Sequence, residues 1–308
     1  MKKLFLIGIA ATALLCSCAK DQIVDVKPQN AIGFEMFVDK STRAAEDVTT
    51  TNLTAFELYG WRGSDQIFNK QAVSVSSGVC TYSPLQYWVG GKAYTFEAVA
   101  PKSGDNGVTF AASKDASTIT FVSNSETDLI YAAGSKDLTQ TATITADPGA
   151  VGMTFGHLLS RVKFTFINGA DANSSAKITV SDVKITNAGT TGVYSTNGGT
   201  WAAATAEGEV SFASTSVANI VGGASAATEH KYLIPYDVQN YTLDFTVTMT
   251  QGNVSDVFTY SDVKLATSER KLLKGYSYNF VATFKPGYPI VFTASVTPWD
   301  DFTEVTIP

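Results

Sequence analysis

Residues 31–38 read Ala-Ile-Gly-Phe-Glu-Met-Phe-Val. Ile32, Phe34, Met36 and Val38 fall on one side of a two-residue period, and Gly33 and Glu35 on the other. Four apolar side chains on one face predict a strand with that face buried. Downstream, strands recur at roughly 8 to 12 residue spacing, the rhythm of a β-sandwich. Clear ones are Leu53–Trp61, Ala93–Ala100, Ser117–Val122, Asp128–Ala132, Val162–Ile167, Ala176–Thr186, Tyr241–Thr250, Val254–Tyr260, Ser277–Phe284 and Pro289–Val296. Gly, Asn, Asp and Ser cluster between them, as turns require. Two short stretches, His157–Arg161 and Val263–Leu273, have helical spacing but are too brief for an α/β fold. The expected class is all-β.

Composition agrees. Charged residues are 16% of the chain, below the roughly 25% of average domains, and threonine alternates with apolar residues as half-buried strands demand. The 290 residues from 19 to 308 suit two domains, each large enough for its own core. Residues 140–157 mix Pro148, Gly149 and Gly152 with small side chains, which sets the expected division near 157: 44–157 and 158–308.

Upstream of the opening strand, residues 19–30 (AKDQIVDVKPQN) read as a polar tether. Before them, Lys2 and Lys3 precede an apolar run, Leu4 to Leu15, ending in Leu15-Cys16-Ser17-Cys18. The run is far shorter than the ~20 residues that span a bilayer. A positive start, a short apolar core and a cysteine after a small residue form a lipoprotein signal. Residues 1–18 are its expected extent: Cys18 carries a diacylglycerol and becomes the new N-terminus, tethering an envelope protein to the outer membrane through lipid. After the strand, residues 39–52 (DKSTRAAEDVTTTN) lack periodicity and large apolar groups, so an exposed loop is expected, with Arg43 in its middle.

Catalytic chemistry finds little support. The net charge is −6 without a basic block, so nucleic acid is not an expected partner. With Cys16 and Cys18 in the signal, Cys80 remains, and its strand-like neighbours Val79, Thr81 and Tyr82 predict a buried thiol. Two histidines without Cys–His or His–His spacing offer no zinc site. His157 reads as a packed or capping residue at the domain junction, and His230 as an exposed edge residue. No G-x-S-x-G or glycine-rich phosphate loop occurs. Asp300 and Asp301 are adjacent and would point to opposite faces of a strand, whereas a catalytic pair must converge. No cofactor, metal or enzymatic activity is expected. Trp61, Trp88, Trp201 and Trp299, with thirteen tyrosines, read as core filling before they read as a sugar-stacking platform.

Several stretches together resemble the fimbrillin family, the lipoprotein-derived type V pilins of Bacteroides-type bacteria. They are Tyr82…Tyr87-Trp88 with Tyr94-Thr-Phe96-Glu-Ala-Val-Ala-Pro101, Asp128-Leu-Ile-Tyr131, and Phe155-Gly-His157-Leu-Leu-Ser-Arg161-Val-Lys-Phe. Leu233-Ile-Pro235, Lys274-Gly275-Tyr276-Ser-Tyr278 and Val296-Thr-Pro-Trp299 complete the set. The resemblance implies two transthyretin-like β-sandwich domains in series and a cell-surface pilus subunit that supports adhesion. It further implies an outer membrane lipoprotein precursor, an arginine-specific protease that cuts the loop, here at Arg43–Ala44, and other pilus subunits as partners. Losing Ile32, Phe34, Met36 and Val38 leaves a groove that another subunit's strand fills by β-augmentation. The candidate donor is residues 289–308. Phe292, Ala294 and Val296 alternate before Pro298, Trp299 follows the break, and Val305 and Ile307 resume the alternation. That segment equally reads as closing its own sandwich. The alternatives are a lipid-anchored glycan-binding surface protein that keeps its first strand, and a tip adhesin of the same pilus family. The receptor is not legible in the sequence.

Overall fold

The computed structural model describes residues 30–38, 47–212, 217–235, 241–265, 272–285 and 287–298. Among them there are strands, turns and loops but no helix. One sheet is built from β1 (Phe34–Val38), β2 (Ala55–Arg62), β3 (Asp65–Ser76), β4 (Val79–Thr81) and β5 (Ala93–Ala100). After the hairpin of β6 (Val108–Ala111) and β7 (Thr118–Val122), β8 (Ile130–Asp137) and β9 (Val151–His157) complete it. Its order is β1-β9-β8-β5-β2-β3-β4.

The chain then enters β10 (Ser160–Asn168) and β11 (Lys177–Ser195). The short strands β12 (Thr200–Trp201), β13 (Ala206–Ser211), β14 (Val217–Val221), β15 (Ser225–Ala227) and β16 (Lys231–Leu233) follow. The last four are β17 (Tyr241–Gln251), β18 (Val254–Leu265), β19 (Tyr276–Phe284) and β20 (Phe292–Pro298). They form a second sheet, β15-β10-β19-β20 with β16 also on β10, and a third, β18-β17-β11-β7-β6 with β12, β13 and β14 also on β11. The chain thus forms β-sandwich domains in series, the expected all-β class.

Three apolar clusters hold the sheets together. Between the second and third sheets lie Val162, Phe164 and Phe166 of β10, Ile178 to Ala188 of β11, Leu243 to Val247 of β17, and Phe280. The first sheet curls so that β1 comes against β4, enclosing Phe34, Met36, Phe56, Leu58, Phe96 and Phe155. The opposite face of that sheet presents Tyr59, Trp61 and Val99 to Phe110, Ile119, Phe121 and Tyr194. β2 is therefore buried on both sides. The β6–β7 hairpin, which precedes β8 in sequence, pairs through β7 with the far end of β11, Thr191 to Ser195.

Neither stretch expected as helical is helical where it is described. His157–Arg161 is the passage from β9 into β10, where Leu158 and Leu159 enter the third cluster. Val263–Leu265 is the end of β18, laddered to β17, and residues 266–271 lie outside the described set. Pairing of the whole β17–β18 hairpin outweighs the local helical spacing.

Candidate functional site: the first strand and its slot

β1 is an edge strand, parallel to β9, with Phe34 opposite Val151 and Val38 opposite Phe155. Ile32, Phe34, Met36 and Val38 are buried, while Glu35 and Phe37 face solvent, Phe37 being 53% exposed. The alternation in the sequence is thus an inward face against the first core. Phe34 sits edge-on among three rings, 5.9 Å from Phe68, 5.9 Å from Tyr82 and 5.2 Å from Phe96. Gly60 in β2 makes that nest possible: a Cβ there would stand 2.7 Å from the Phe96 ring and 2.9 Å from the Phe68 ring.

The far side of β1 and the residues leading to it are held by single bonds. The Ile32 N–H donates to the Gln86 carbonyl at 2.8 Å and the Trp88 N–H to that of Asn30 at 2.9 Å. The Tyr82 hydroxyl donates to the Ile32 carbonyl at 2.7 Å. At the other end the Val38 N–H donates to Thr50 Oγ1 at 2.9 Å. Burying the four side chains is worth roughly 6–12 kcal/mol as an upper bound, at ~1.5–3 kcal/mol each.

Beyond the strand, the expected exposed loop 39–52 holds at Thr50, Thr51 and Asn52 but needs correction at Asp47. Residues 39–46, including Arg43 and Ala44, lie outside the described set, but Asp47 is fully buried. Its carboxylate accepts from Arg161 Nη1 and, at 2.7 Å, from the Tyr232 hydroxyl. Arg161, 1% exposed, also donates from Nε to Ser277 Oγ at 3.1 Å. These partners share one rung: Arg161 of β10 pairs with Tyr232 of β16 on one side and Ser277 of β19 on the other. Burial pushes the Asp47 carboxyl up, opposed by Arg161 and the Tyr232 hydroxyl. Burial also pushes the Tyr232 hydroxyl up.

His230, expected to be an exposed edge residue, is half-buried with Nε2 3.7 Å from Asp47 Oδ1. Burial, then the charges of Arg161, Lys163 and Lys231, hold it down at about 4. His157 is packed as expected, its Nδ1 2.8 Å from Asp128 Oδ2. Sequence reasoning passed over Asp47 and Tyr232. An acid in a threonine-rich segment looks like a solvated turn, and its cation lies more than a hundred residues away.

Cys80 is buried in β4 against the first core. Trp61 and Trp88 are buried as well. At the other end of the chain, β20 pairs antiparallel with β19 and so lies in its own sheet. Phe292 is buried, 6.0 Å from Phe164, 6.0 Å from Phe166 and 5.7 Å from Phe245. Val296, expected to share its inward face, is 36% exposed, because burial along β20 is confined to Phe292 and the later positions are intermediate or exposed. Trp299, Val305 and Ile307 lie outside the described residues, as does Cys18.

A family profile described as fimbrillin-like matches residues 42–299. The chain belongs to the fimbrillin-like family. No curated protein matches it in sequence. Among solved structures, it is similar to a fimbrial protein from Bacteroides vulgatus, with 18% identity and a TM-score of 0.60 over 88% of this chain and 99% of that one. A candidate cell adhesion protein from Bacteroides uniformis gives 16% identity and 0.53 over 87% and 99%. One from Bacteroides ovatus gives 13% and 0.52 over 89% and 99%. At these identities the likeness is one of fold. Membership in the fimbrillin-like family gives a fimbrial structural or adhesion role at the cell surface, not an enzymatic one.

Proposed function

We propose that the chain is a structural fimbrial subunit assembled by strand exchange. In this reading the precursor is exported as a lipoprotein anchored at Cys18 in the outer membrane. An arginine-specific protease cuts between Arg43 and Ala44. β1 then leaves, and a C-terminal strand of another subunit, drawn from residues 289–308, takes its place. The sequence divides near 157 into a slot-bearing domain and a donor-bearing domain. The carrying observation is β1 with its lead-in residue Ile32: an edge strand whose stretch inserts four apolar side chains into the first core and continues into the segment that holds Arg43. Edge strands are where a sheet accepts a replacement. The candidate donor repeats the spacing, with Ile290, Phe292 and Val296 matching Ile32, Phe34 and Val38.

A second reading has an observation of its own. β20 fills its own sheet and Phe292 its own core, as in an acceptor that gives away no strand, a tip subunit. The deciding experiment is the N-terminal residue of protein recovered from fibres, compared with the Arg43→Ala variant. Ala44 at the terminus and no fibres from Arg43→Ala are expected. Normal fibres from that variant would overturn the cut.

A further inference from the structure

The segment after β1 is pinned at both ends to different halves of the molecule. The Asp47 carboxylate is held by Arg161 of β10 and Tyr232 of β16, both in the second sheet. Six residues on, Leu53 lies in the first core, and Val48 packs against that core. The span between them is braced locally: Asn52 Nδ2 donates to the Asp47 carbonyl at 2.6 Å, and the Leu53 N–H to the Thr49 carbonyl at 3.0 Å. Withdrawing Asp47 would take a carboxylate away from the buried Arg161 guanidinium. Breaking a buried ion pair by removing one partner is strongly destabilising. Thr50, carried by this span, receives the last backbone N–H of β1.

We propose that Asp47 is the anchor that ends the exchangeable segment. When β1 departs, residues 47–53 stay docked. Thr50 then remains at the end of the slot, offering its hydroxyl to the final N–H of the incoming strand. The slot keeps the length set by Ile32–Val38, because fraying cannot run on through Val48 and Leu53 into the core. The biological use of the anchor rests on the strand-exchange reading, but its test does not.

The test places a recognition sequence for a site-specific protease within residues 39–46 of the full chain, so that cutting does not depend on Arg43. Amide exchange at residues 47–53 is then compared in cut and uncut protein, with Asp47→Ala and the milder Tyr232→Phe alongside. In the cut wild-type background these amides should exchange within about threefold of the uncut rate. In cut Asp47→Ala they should exchange at least tenfold faster, with Tyr232→Phe between, while the uncut variants stay protected because β1 and Leu53 hold the span. Tyr232→Phe keeps the test alive if Asp47→Ala does not fold. Free exchange at 47–53 in the cut wild type, or wild-type protection in both cut variants, would overturn the anchor. Retention of the N-terminal fragment that carries β1 is read by mass in the same sample: a fragment that never leaves counts against strand exchange, while the variant difference still decides the anchor.

Discussion

β1 and β20 are both edge strands, and each drives one phenylalanine into a nest of three rings. Phe34 meets Phe68, Tyr82 and Phe96, and Phe292 meets Phe164, Phe166 and Phe245. Their sequences share the frame I-x-F-x-x-x-V. They differ in what else holds them. β1 adds Met36 and Val38 to the core, with Ile32 just before it, but makes a parallel ladder of five register pairs. β20 adds little beyond Phe292, yet lies antiparallel to β19 over seven, and antiparallel pairing is slightly stronger per residue. One strand is held mainly by side chains, the other mainly by backbone. Side-chain grip is transferable: any strand of matching pattern can supply it. Under the strand-exchange proposal, that difference favours the β1 slot over the β20 edge.

The largest expected effect comes from removing β1. Cut protein stripped of its first strand should lose up to roughly 6–12 kcal/mol in denaturant unfolding. A synthetic peptide of residues 31–38 should restore most of it, and the same peptide with alanine at the Phe34 position should not. Equal rescue by both peptides would break the side-chain account.

Next in size are the two phenylalanines. Phe34→Ala and Phe292→Ala in uncut protein should each cost about 3–5 kcal/mol, since both rings are buried in comparable nests. Only Phe34→Ala should hasten release of the N-terminal fragment that carries β1 after cutting. Matching release rates from both variants would show that the two halves do not act separately.

Acid should sharpen the contrast by acting on the second half. The unfolded chain takes up a proton on His230 near pH 6.5, whereas the folded protein resists until about 4. Stability is therefore whole above pH 6.5 and is lost as pH falls toward 4, by on the order of 3 kcal/mol at most. Asp47 works against this trend, because burial lets the folded state take its proton first. His230→Gln should flatten the profile over that window, and an unchanged slope would remove His230 from the account.

The smallest effect is a rate. Cys80 lies in β4, which β1 comes against. Thiol labelling should be slow in uncut protein and should accelerate once β1 has gone. Fast labelling of the uncut form would show that the first core opens without losing its strand.

Much of this was readable from residue order, for reasons that can be traced. The face of β1 was legible because burial there follows a clean two-residue period. β11 was legible only in its first half. At Asp182, with φ of 55°, the buried positions slip from Ile178 and Val180 to Val183 and Ile185. The strand then runs on through Asn187-Ala-Gly-Thr-Thr-Gly, which reads as a turn until β7 and β13 are present to pair with it. The pairing of Asp47 with Arg161 was not legible at all. It depends on which β10 rung meets β16 and β19, and nothing local records that.

β11 also has a mechanical consequence. Its 19 residues serve two cores, with Ile178 to Ala188 in one and Tyr194 in the other. Its first half pairs with β17 and its last residues with β7. A pull that separates the two halves of the molecule cannot open a hinge there, because one unbroken strand crosses the division. It must drag β11 lengthwise past β7, loading the hydrogen bonds from Thr191 to Ser195 together instead of one after another. A surface appendage tugged by flow would meet its resistance in that ladder.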